Sequence, residues 1–128
     1  VGTDDAGCLD DADLRTRLSS HLMDSRAHAL TLRRITAEAR GNIQVTATAS
    51  ILKNSATVVA QTRSELTLEM MGHRGLGWEG DGFSSDELAT VRGWLSGKAM
   101  SIYGGSFEIQ NNIISKNILG LPETTQQG

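Results

Sequence analysis

The chain is poor in aromatic residues, which make up 4% of its 128 positions, and its one proline, Pro122, lies near its end. A core with so few rings has to be built from Leu, Ile, Val, Met and Ala. Proline inside a helix costs about 3 kcal/mol of stability. Because no proline precedes that position, the sequence permits long helices. A length of 128 residues suits one domain that buries its core without disulfides or metals. The composition therefore favours an all-α domain.

A single cysteine, Cys8, excludes an internal disulfide, and in its polar leader we interpret it as an inert thiol. The net charge is −3 and no block of Lys and Arg is present, which argues against nucleic-acid binding. No stretch approaches the ~18 apolar residues of a membrane span, and no signal peptide is visible. We therefore predict a cytoplasmic protein. Because the chain begins with Val rather than Met, we expect it to be a piece of a longer parent.

Two long helices are predicted in the first half of the chain. The first starts near three acids that complement a helix dipole, Asp10, Asp11 and Asp13. Its predicted apolar stripe, at spacings near 3.6, consists of Leu14, Leu18, Leu22, Ala29 and Leu32. Gly41-Asn42 is expected to close it. The second runs from about Val45 to Met71, and the glycines between Gly72 and Gly82 predict a loop after it.

Two shorter helices are predicted in the second half. Ser84 and Glu87 form the pattern of a capping box, which begins the third helix. Its predicted buried stripe is Leu88, Val91 and Leu95, continued by Ala99 or Ile102. Gly104-Gly105 ends it, and Ser106 is expected to cap the fourth helix with Glu108 in its first turn. The fourth helix ends at Gly120, and its predicted apolar face is Ile109, Ile113, Ile114 and Ile118.

Four helices with short connections predict an antiparallel, up-and-down four-helix bundle. We assign residues 1–9 to a flexible leader, 10–120 to the bundle and 121–128 to a polar tail. Within the bundle, His21, Asp24 and His28 share one helix face, but no Glu-x-x-His partner pattern is present. We therefore predict no metal site and interpret these side chains as solvated or locally paired.

Several residues near the glycines could serve either packing or a ligand. Met70 and Met71 are interpreted as core filling and Trp94 as a packed ring, while Trp78 could cover a ligand or shield its loop. The segment from His73 to Gly77 lacks the Lys-Ser/Thr ending of a phosphate-binding loop. Gly104-Gly105-Ser106 precedes a helix N-terminus, where free N–H groups favour anions. From physics alone, a plain helix–helix turn is the favoured interpretation of those glycines.

The segment Ser101-Ile-Tyr-Gly-Gly-Ser-Phe-Glu-Ile-Gln-Asn-Asn-Ile-Ile114, followed by Ile118-Leu-Gly-Leu-Pro122, closely resembles the end of acyl-CoA dehydrogenases. The family pattern there is Ile-Tyr-Glu/Gly-Gly-Thr/Ser-x-Glu/Gln-Ile-Gln-x-x-Ile-Ile, then Leu-Gly-Leu-Pro. Lys53 and the glycines after Met71 also lie where the family has them. The resemblance implies the helical C-terminal domain of an enzyme that uses FAD to form an α,β double bond in an acyl-CoA thioester. It further implies a homo- or hetero-oligomer built through this domain, with FAD across a dimer interface.

The resemblance carries site residues over one at a time. Gly105, Ser106 and Glu108 occupy positions that approach FAD, whereas Gly104 stands where many members have the catalytic Glu. In a subset of the family the base lies on the helix that opens this domain, which should precede Val1. A second FAD element, Gln-x-x-Gly-Gly-x-Gly in the family, places cofactor-binding residues at three further positions, Glu69, Gly72 and Arg74.

Three readings of the function follow from this resemblance. The first is a FAD-dependent acyl-CoA dehydrogenase whose base lies upstream in the parent. The second is a non-catalytic assembly subunit or domain of a heteromeric acyl-CoA dehydrogenase, since Glu69 and His73 depart from the FAD pattern. The third is a flavin oxidase or monooxygenase on the same scaffold. In each case we expect the isolated chain to be inactive and to self-associate through an apolar groove.

Overall fold

The computed structural model describes residues 2–40 and 48–122. Within these ranges the chain forms four α-helices: α1 (Ala12–Arg40), α2 (Thr48–Met71), α3 (Ser85–Gly97) and α4 (Phe107–Asn117). Short 3-10 turns follow α2 at Gly72–Leu76 and α3 at Lys98–Ser101. The described ranges contain no β-strand, and one isolated bridge joins Thr3 to Leu9 in the leader. The predicted all-helical fold with four helices is confirmed.

The ends of α1 and α2 follow the predicted boundaries where they can be compared. Asp11 caps α1, since its Oδ1 accepts the backbone N–H of Leu14 at 2.9 Å. Asp13 lies in the first turn and Arg40 in the last, as the helix dipole favours. α2 ends at Met71, as predicted. The predicted closure at Gly41-Asn42 and the predicted start at Val45 lie outside the described residues.

The capping box at the start of α3 is present in both of its hydrogen bonds. The N–H of Glu87 donates to Ser84 Oγ at 3.3 Å, and the N–H of Ser84 donates to Glu87 Oε2 at 2.8 Å. These bonds hold the pKa of the Glu87 carboxyl below its usual value, and the N–H of Ser84 is the largest cause. Two backbone donors that the first turn leaves free are therefore satisfied by side chains of the same turn.

The chain divides into two compact units, which are described separately. Unit 1 combines Val1–Ala27 with Val58–Ala99 and therefore holds the first part of α1, the second part of α2, and α3. Unit 2 combines His28–Thr57 with Met100–Gly128 and holds the remainder of α1 and α2 together with α4. Among the described residues, the buried apolar side chains of unit 1 are Leu14, Leu66 and Val91, and that of unit 2 is Ile35.

The predicted apolar stripe of α1 is wrong beyond Leu18. Leu22, Ala29 and Leu32 are exposed. The face that is buried or half-buried instead continues from Leu14 and Leu18 at steps of three or four residues: His21, Ser25, His28, Thr31 and Ile35. Polar side chains lie on this face because they are hydrogen-bonded there, as His28 Nδ1 is to Ser55 Oγ at 2.8 Å. Beyond Leu18, a prediction from hydrophobicity alone therefore names residues on a different face of α1 from the buried one.

The predicted stripes of the shorter helices are correct only at their centres. In α3, Val91 is buried and Leu88 half-buried, but Leu95 is 50% exposed. The continuation is wrong because α3 ends at Gly97, which leaves Ala99 exposed and Ile102 73% exposed. In α4, Ile113 and Ile114 are half-buried, whereas Ile109 and Ile118 are exposed. α4 ends at Asn117, three residues before the predicted Gly120.

Removing the cap of α3 should destabilise the chain measurably. We expect Ser84→Ala to lower the free energy of unfolding by about 1 kcal/mol, because the N–H of Glu87 loses its acceptor. Ser85→Ala is the matched control, since that exposed serine lies in the first turn of the same helix. Urea unfolding followed by far-ultraviolet circular dichroism measures both. Equal stabilities for the two variants would contradict this role for Ser84.

Candidate functional site

The turn before α4 depends on two consecutive glycines in the left-handed region of backbone space. Gly104 has φ +70° and Gly105 has φ +96°, angles that other residues adopt only with strain. A Cβ added at Gly105 would lie 2.6 Å from Nε2 of Gln110, whereas one added at Gly104 would meet no atom within 4 Å. Gly105 is therefore required by both angle and space, and Gly104 by its angle alone.

Ser106 lies directly before α4 at the predicted cap position, but its hydroxyl does not cap the helix. The prediction of a side-chain cap is wrong, because Ser106 Oγ instead donates to Oε2 of Glu108 at 2.6 Å. This bond is the largest cause that holds the pKa of the Glu108 carboxyl below its usual value, followed by the backbone N–H of Glu108 and the charge of Lys53. A carboxylate is thus held at the N-terminus of α4, where the helix dipole favours negative charge.

The ammonium of Lys53, on α2, is buried beside this carboxylate. Its Nζ lies 5.3 Å from the ring centroid of Phe107 and has no hydrogen-bond partner among the described residues. Oδ1 of the adjacent Asn54 is also buried without a partner, although Asn54 Nδ2 donates to Asn111 Oδ1 at 3.0 Å. A buried cation without a hydrogen-bonded partner favours an anion close to it. Unit 2 therefore carries a buried cation without a hydrogen-bonded partner beside the α4 N-terminus.

The second predicted element lies in unit 1, where Glu69 is paired with an arginine of α1. Nη1 of Arg17 donates to Oε1 of Glu69 at 2.7 Å, and Nη2 of Arg17 contacts Oε2. Arg17 also reaches Oδ2 of Asp13 at 3.2 Å. The pKa of the Arg17 guanidinium is raised, first by Glu69 and then by Asp13. The negative charge at this position is thus opposed by a bidentate partner 52 residues away in sequence.

Gly72 and Arg74 lie in the turn that follows α2. Gly72 has φ +58° and opens the 3-10 turn Gly72–Leu76. A Cβ at Gly75 would lie 2.7 Å from the carbonyl oxygen of Leu68, so this turn folds tightly against the end of α2. The guanidinium of Arg74 donates to the carbonyl of Gly82 at 2.8 Å and lies 3.3 Å from Glu87 Oε2. Its charge therefore supports the start of α3.

The predicted site residues fall in two groups. Gly105, Ser106 and Glu108 lie together in unit 2, and Glu69, Gly72 and Arg74 lie in unit 1. Sequence reasoning missed the contribution of two residues to these groups, Arg17 and Gln110. Arg17 is four residues after Asp13, which indicates an ion pair on one helix, but its longer-range contact with Glu69 has no local signal.

The histidines of α1 follow one of the two alternatives that we predicted, since they are paired with neighbouring side chains rather than solvated. His21 is 7% exposed, and its Nε2 lies 3.3 Å from Ser25 Oγ, so it is buried and locally paired. His28 is half-buried against Ser55, and Asp24 is exposed. In the part of the chain that the structure describes, no three side chains of His, Cys, Asp or Glu come together to hold a metal ion.

The other candidates beside the glycines make ordinary packing contacts. Met70 and Met71 are half-buried, and so is Trp94, whose ring has Lys98 Nζ 5.2 Å from its centroid. Trp78 is half exposed, and the guanidinium of Arg92 lies 5.5 Å from its centroid while donating to its carbonyl. Within residues 2–40 and 48–122, no helix is both long enough and apolar enough to cross a membrane.

Comparison with known proteins defines the class of this domain. The family model "Acyl-CoA dehydrogenase, C-terminal domain" matches residues 3–119, so the chain belongs to that family. Among characterised proteins, it is 43% identical over 58 residues to acyl-CoA dehydrogenase IpdE1 of Mycolicibacterium smegmatis. That match covers 45% of this chain and 14% of the relative. No solved structure matches the chain significantly.

The hydrogen bond from Ser106 should be visible in the titration of Glu108. We expect Ser106→Ala to raise the pKa of the Glu108 carboxyl toward its usual value, because the largest stabiliser of the carboxylate is lost. A folded pKa below the unfolded value stabilises the fold above the unfolded pKa, and this is lost as pH falls through the folded pKa. The variant should therefore lose less stability on acidification. Carboxyl-carbon NMR of Glu108 measures the shift, with Ser96→Ala as control, and an unchanged pKa would contradict the assignment.

Proposed function

We propose that this chain acts as the C-terminal helical domain of a longer, cytoplasmic, FAD-dependent acyl-CoA dehydrogenase that forms an α,β double bond in an acyl-CoA thioester. The observation that carries the proposal is the family match over residues 3–119. The ordered Gly104–Gly105 turn at the start of α4 supports it, because the family's FAD-approaching residues follow that turn. Acyl-CoA is the substrate of the parent, and the isolated chain is inactive.

Unit 2 fits an anionic cofactor such as FAD. Ser106 offers a hydroxyl at the N-terminus of α4, and the buried ammonium of Lys53 supplies positive charge without a hydrogen-bonded partner. Gly105, Ser106 and Glu108 would hold the cofactor, which when bound accepts the hydride removed from the thioester. Glu108 would contact the cofactor only through hydrogen-bond donors of the cofactor, because its carboxylate, kept charged by the bond from Ser106, repels phosphate.

Proton removal requires a base that Gly104 cannot provide, since glycine has no side chain to accept the proton. The base therefore lies upstream in the parent, on the helix that opens the family's domain. The space beside Gly104 is open, because a Cβ built there meets no atom within 4 Å. Position 104 therefore supplies no carboxylate to a bound thioester.

The alternative of a non-catalytic assembly subunit is favoured by one observation, the carboxylate of Glu69 at the position of the family's Gln. A carboxylate accepts hydrogen bonds but donates none, so it is a poor neighbour for phosphates. The bidentate contact with Arg17 weighs against this alternative, because the pair carries no net charge and the guanidinium is itself a phosphate-binding group. We therefore rank the catalytic parent first.

Assembly through this domain is part of the proposal. α1 exposes several large apolar side chains: Leu22, Met23, Leu30 and Leu32. A helix with apolar residues on its exposed side is typical of a surface that another helix covers. These side chains support a homo- or hetero-oligomer, and self-association of the isolated chain, without identifying the partner.

Restoring the amide at position 69 should tighten FAD binding by the full-length protein. We expect Glu69→Gln to lower the FAD dissociation constant by roughly two- to tenfold, because one anion is removed and Arg17, left with Asp13 as its acidic partner, has N–H groups available for a phosphate. Asp13→Asn is the matched control, since it removes the other acid that contacts Arg17. Flavin fluorescence titration of the apoprotein measures both. An equal gain in Asp13→Asn, or weaker binding in Glu69→Gln, would contradict the role of Glu69.

The function itself is tested by anaerobic bleaching of the flavin in the full-length protein. We expect bound flavin to lose its oxidised absorbance band when a panel of acyl-CoA thioesters is added, because hydride transfer reduces the ring. Free acids without the CoA moiety serve as controls. Absence of flavin, or flavin that no thioester bleaches, would reject the dehydrogenase and favour the assembly subunit. Bleaching only with compounds that are not thioesters would favour the oxidase or monooxygenase scaffold.

A further inference from the structure

Gln110 is a buried polar residue that none of the predicted contacts explains. It lies in the first turns of α4 and is 8% exposed, although its backbone N–H is already used by the carbonyl of Ser106. Its side-chain Nε2 donates to the carbonyl oxygen of Gly104 at 2.7 Å. A carboxamide is expensive to bury unless it is hydrogen-bonded, so this bond accounts for its position.

The carboxamide of Gln110 lies so close to Gly105 that a side chain at position 105 would clash with it. A Cβ at Gly105 would lie 2.6 Å from Gln110 Nε2 and 3.5 Å from Cγ2 of Ile109. The side chain of Gln110 therefore occupies the space that only glycine leaves free at position 105. Two consecutive glycines with positive φ would otherwise have many accessible conformations, because glycine tolerates most of backbone space. One hydrogen bond from a buried, rotamer-restricted side chain selects one of them.

We propose that Gln110 is a positioning residue that clamps the Gly104 carbonyl and thereby fixes where Gly105 and Ser106 present their backbone and hydroxyl to a cofactor. Gln110 need not touch the cofactor to act in this way. A site whose donors are already held in place avoids the entropy of ordering them on binding. The proposal rests on the proposed function for the identity of the cofactor, FAD, but the clamp itself is a property of this chain.

Gln110→Glu tests the donor without changing the size of the side chain. An ionised carboxyl only accepts hydrogen bonds and repels the Gly104 carbonyl, whereas a protonated carboxyl donates to it. Its burial raises the pKa of the introduced carboxyl, so the clamp should reappear on mild acidification. A residue that only filled space would not show this pH dependence. Gln110→Met keeps a long side chain without a donor, and the exposed Asn112→Asp is the matched amide-to-acid control.

The first measurement uses the ¹H–¹⁵N NMR signals of Gly104 and Gly105 in the 128-residue chain. We expect both signals to move or broaden in Gln110→Glu at neutral pH and to return to the wild-type positions on acidification. They should stay displaced at all pH values in Gln110→Met and stay unchanged in Asn112→Asp. Signals at the wild-type positions in both Gln110 variants would overturn the clamp.

The second measurement uses the FAD dissociation constant of the full-length protein over the same pH range. We expect roughly tenfold weaker binding in Gln110→Glu at neutral pH, which corresponds to about 1.4 kcal/mol and lies in the range for one lost hydrogen bond, with recovery at the pH midpoint of the glycine signals. Displaced glycine signals with unchanged FAD affinity would overturn the positioning role. If the glycine signals are displaced in the Gln110 variants but the wild-type protein binds no FAD, the clamp is supported and the proposed function is rejected.

Discussion

Much of the candidate site depends on one constraint, the pair of left-handed residues Gly104 and Gly105 before α4. With their positive φ angles these two glycines form the turn that leads directly into α4. The start of that helix sets the position of Ser106, whose hydroxyl meets the carboxylate of Glu108. It also brings the ring of Phe107 to the buried ammonium of Lys53. One turn of the backbone thus places a hydroxyl, a carboxylate and a cation at the N-terminus of the same helix.

The electrostatics of unit 1 follow a different principle, in which charged residues are neutralised in pairs. Arg17 faces both Asp13 and Glu69, and Arg74 faces Glu87 beside the capping box. These pairs are solvent-exposed, so they contribute specificity of contact rather than much stability. In unit 2 the buried ammonium of Lys53 has no hydrogen-bonded partner among the described residues. The two units therefore differ in how their cations are held: Arg17 in unit 1 is hydrogen-bonded to carboxylates, whereas the ammonium of Lys53 in unit 2 has no such bond.

Local sequence signals predicted the helices well, and packing signals predicted the buried faces poorly. Ser84 with Glu87 marked the start of α3, because a capping box involves residues of one turn. The face of α1 was misjudged because hydrogen bonding, as between His28 and Ser55, overrides hydrophobicity once the helices are packed. The position of Ser106 before α4 was predicted correctly. Its hydrogen bond was not, since its hydroxyl donates to Glu108 instead of accepting a backbone N–H of the helix. Contacts such as Arg17 with Glu69 join residues far apart in sequence and leave no local pattern.

The polar side chains on the packed face of α1 also bear on how α1 and α2 avoid sliding past one another. A purely aliphatic seam can shift by one helical turn, about 5.4 Å, and still bury similar area. In unit 2, such a shift would separate the imidazole of His28 from the hydroxyl of Ser55 and leave a buried nitrogen without its acceptor or donor. The hydrogen bond between the imidazole and the hydroxyl therefore fixes the register of the two long helices along their axes.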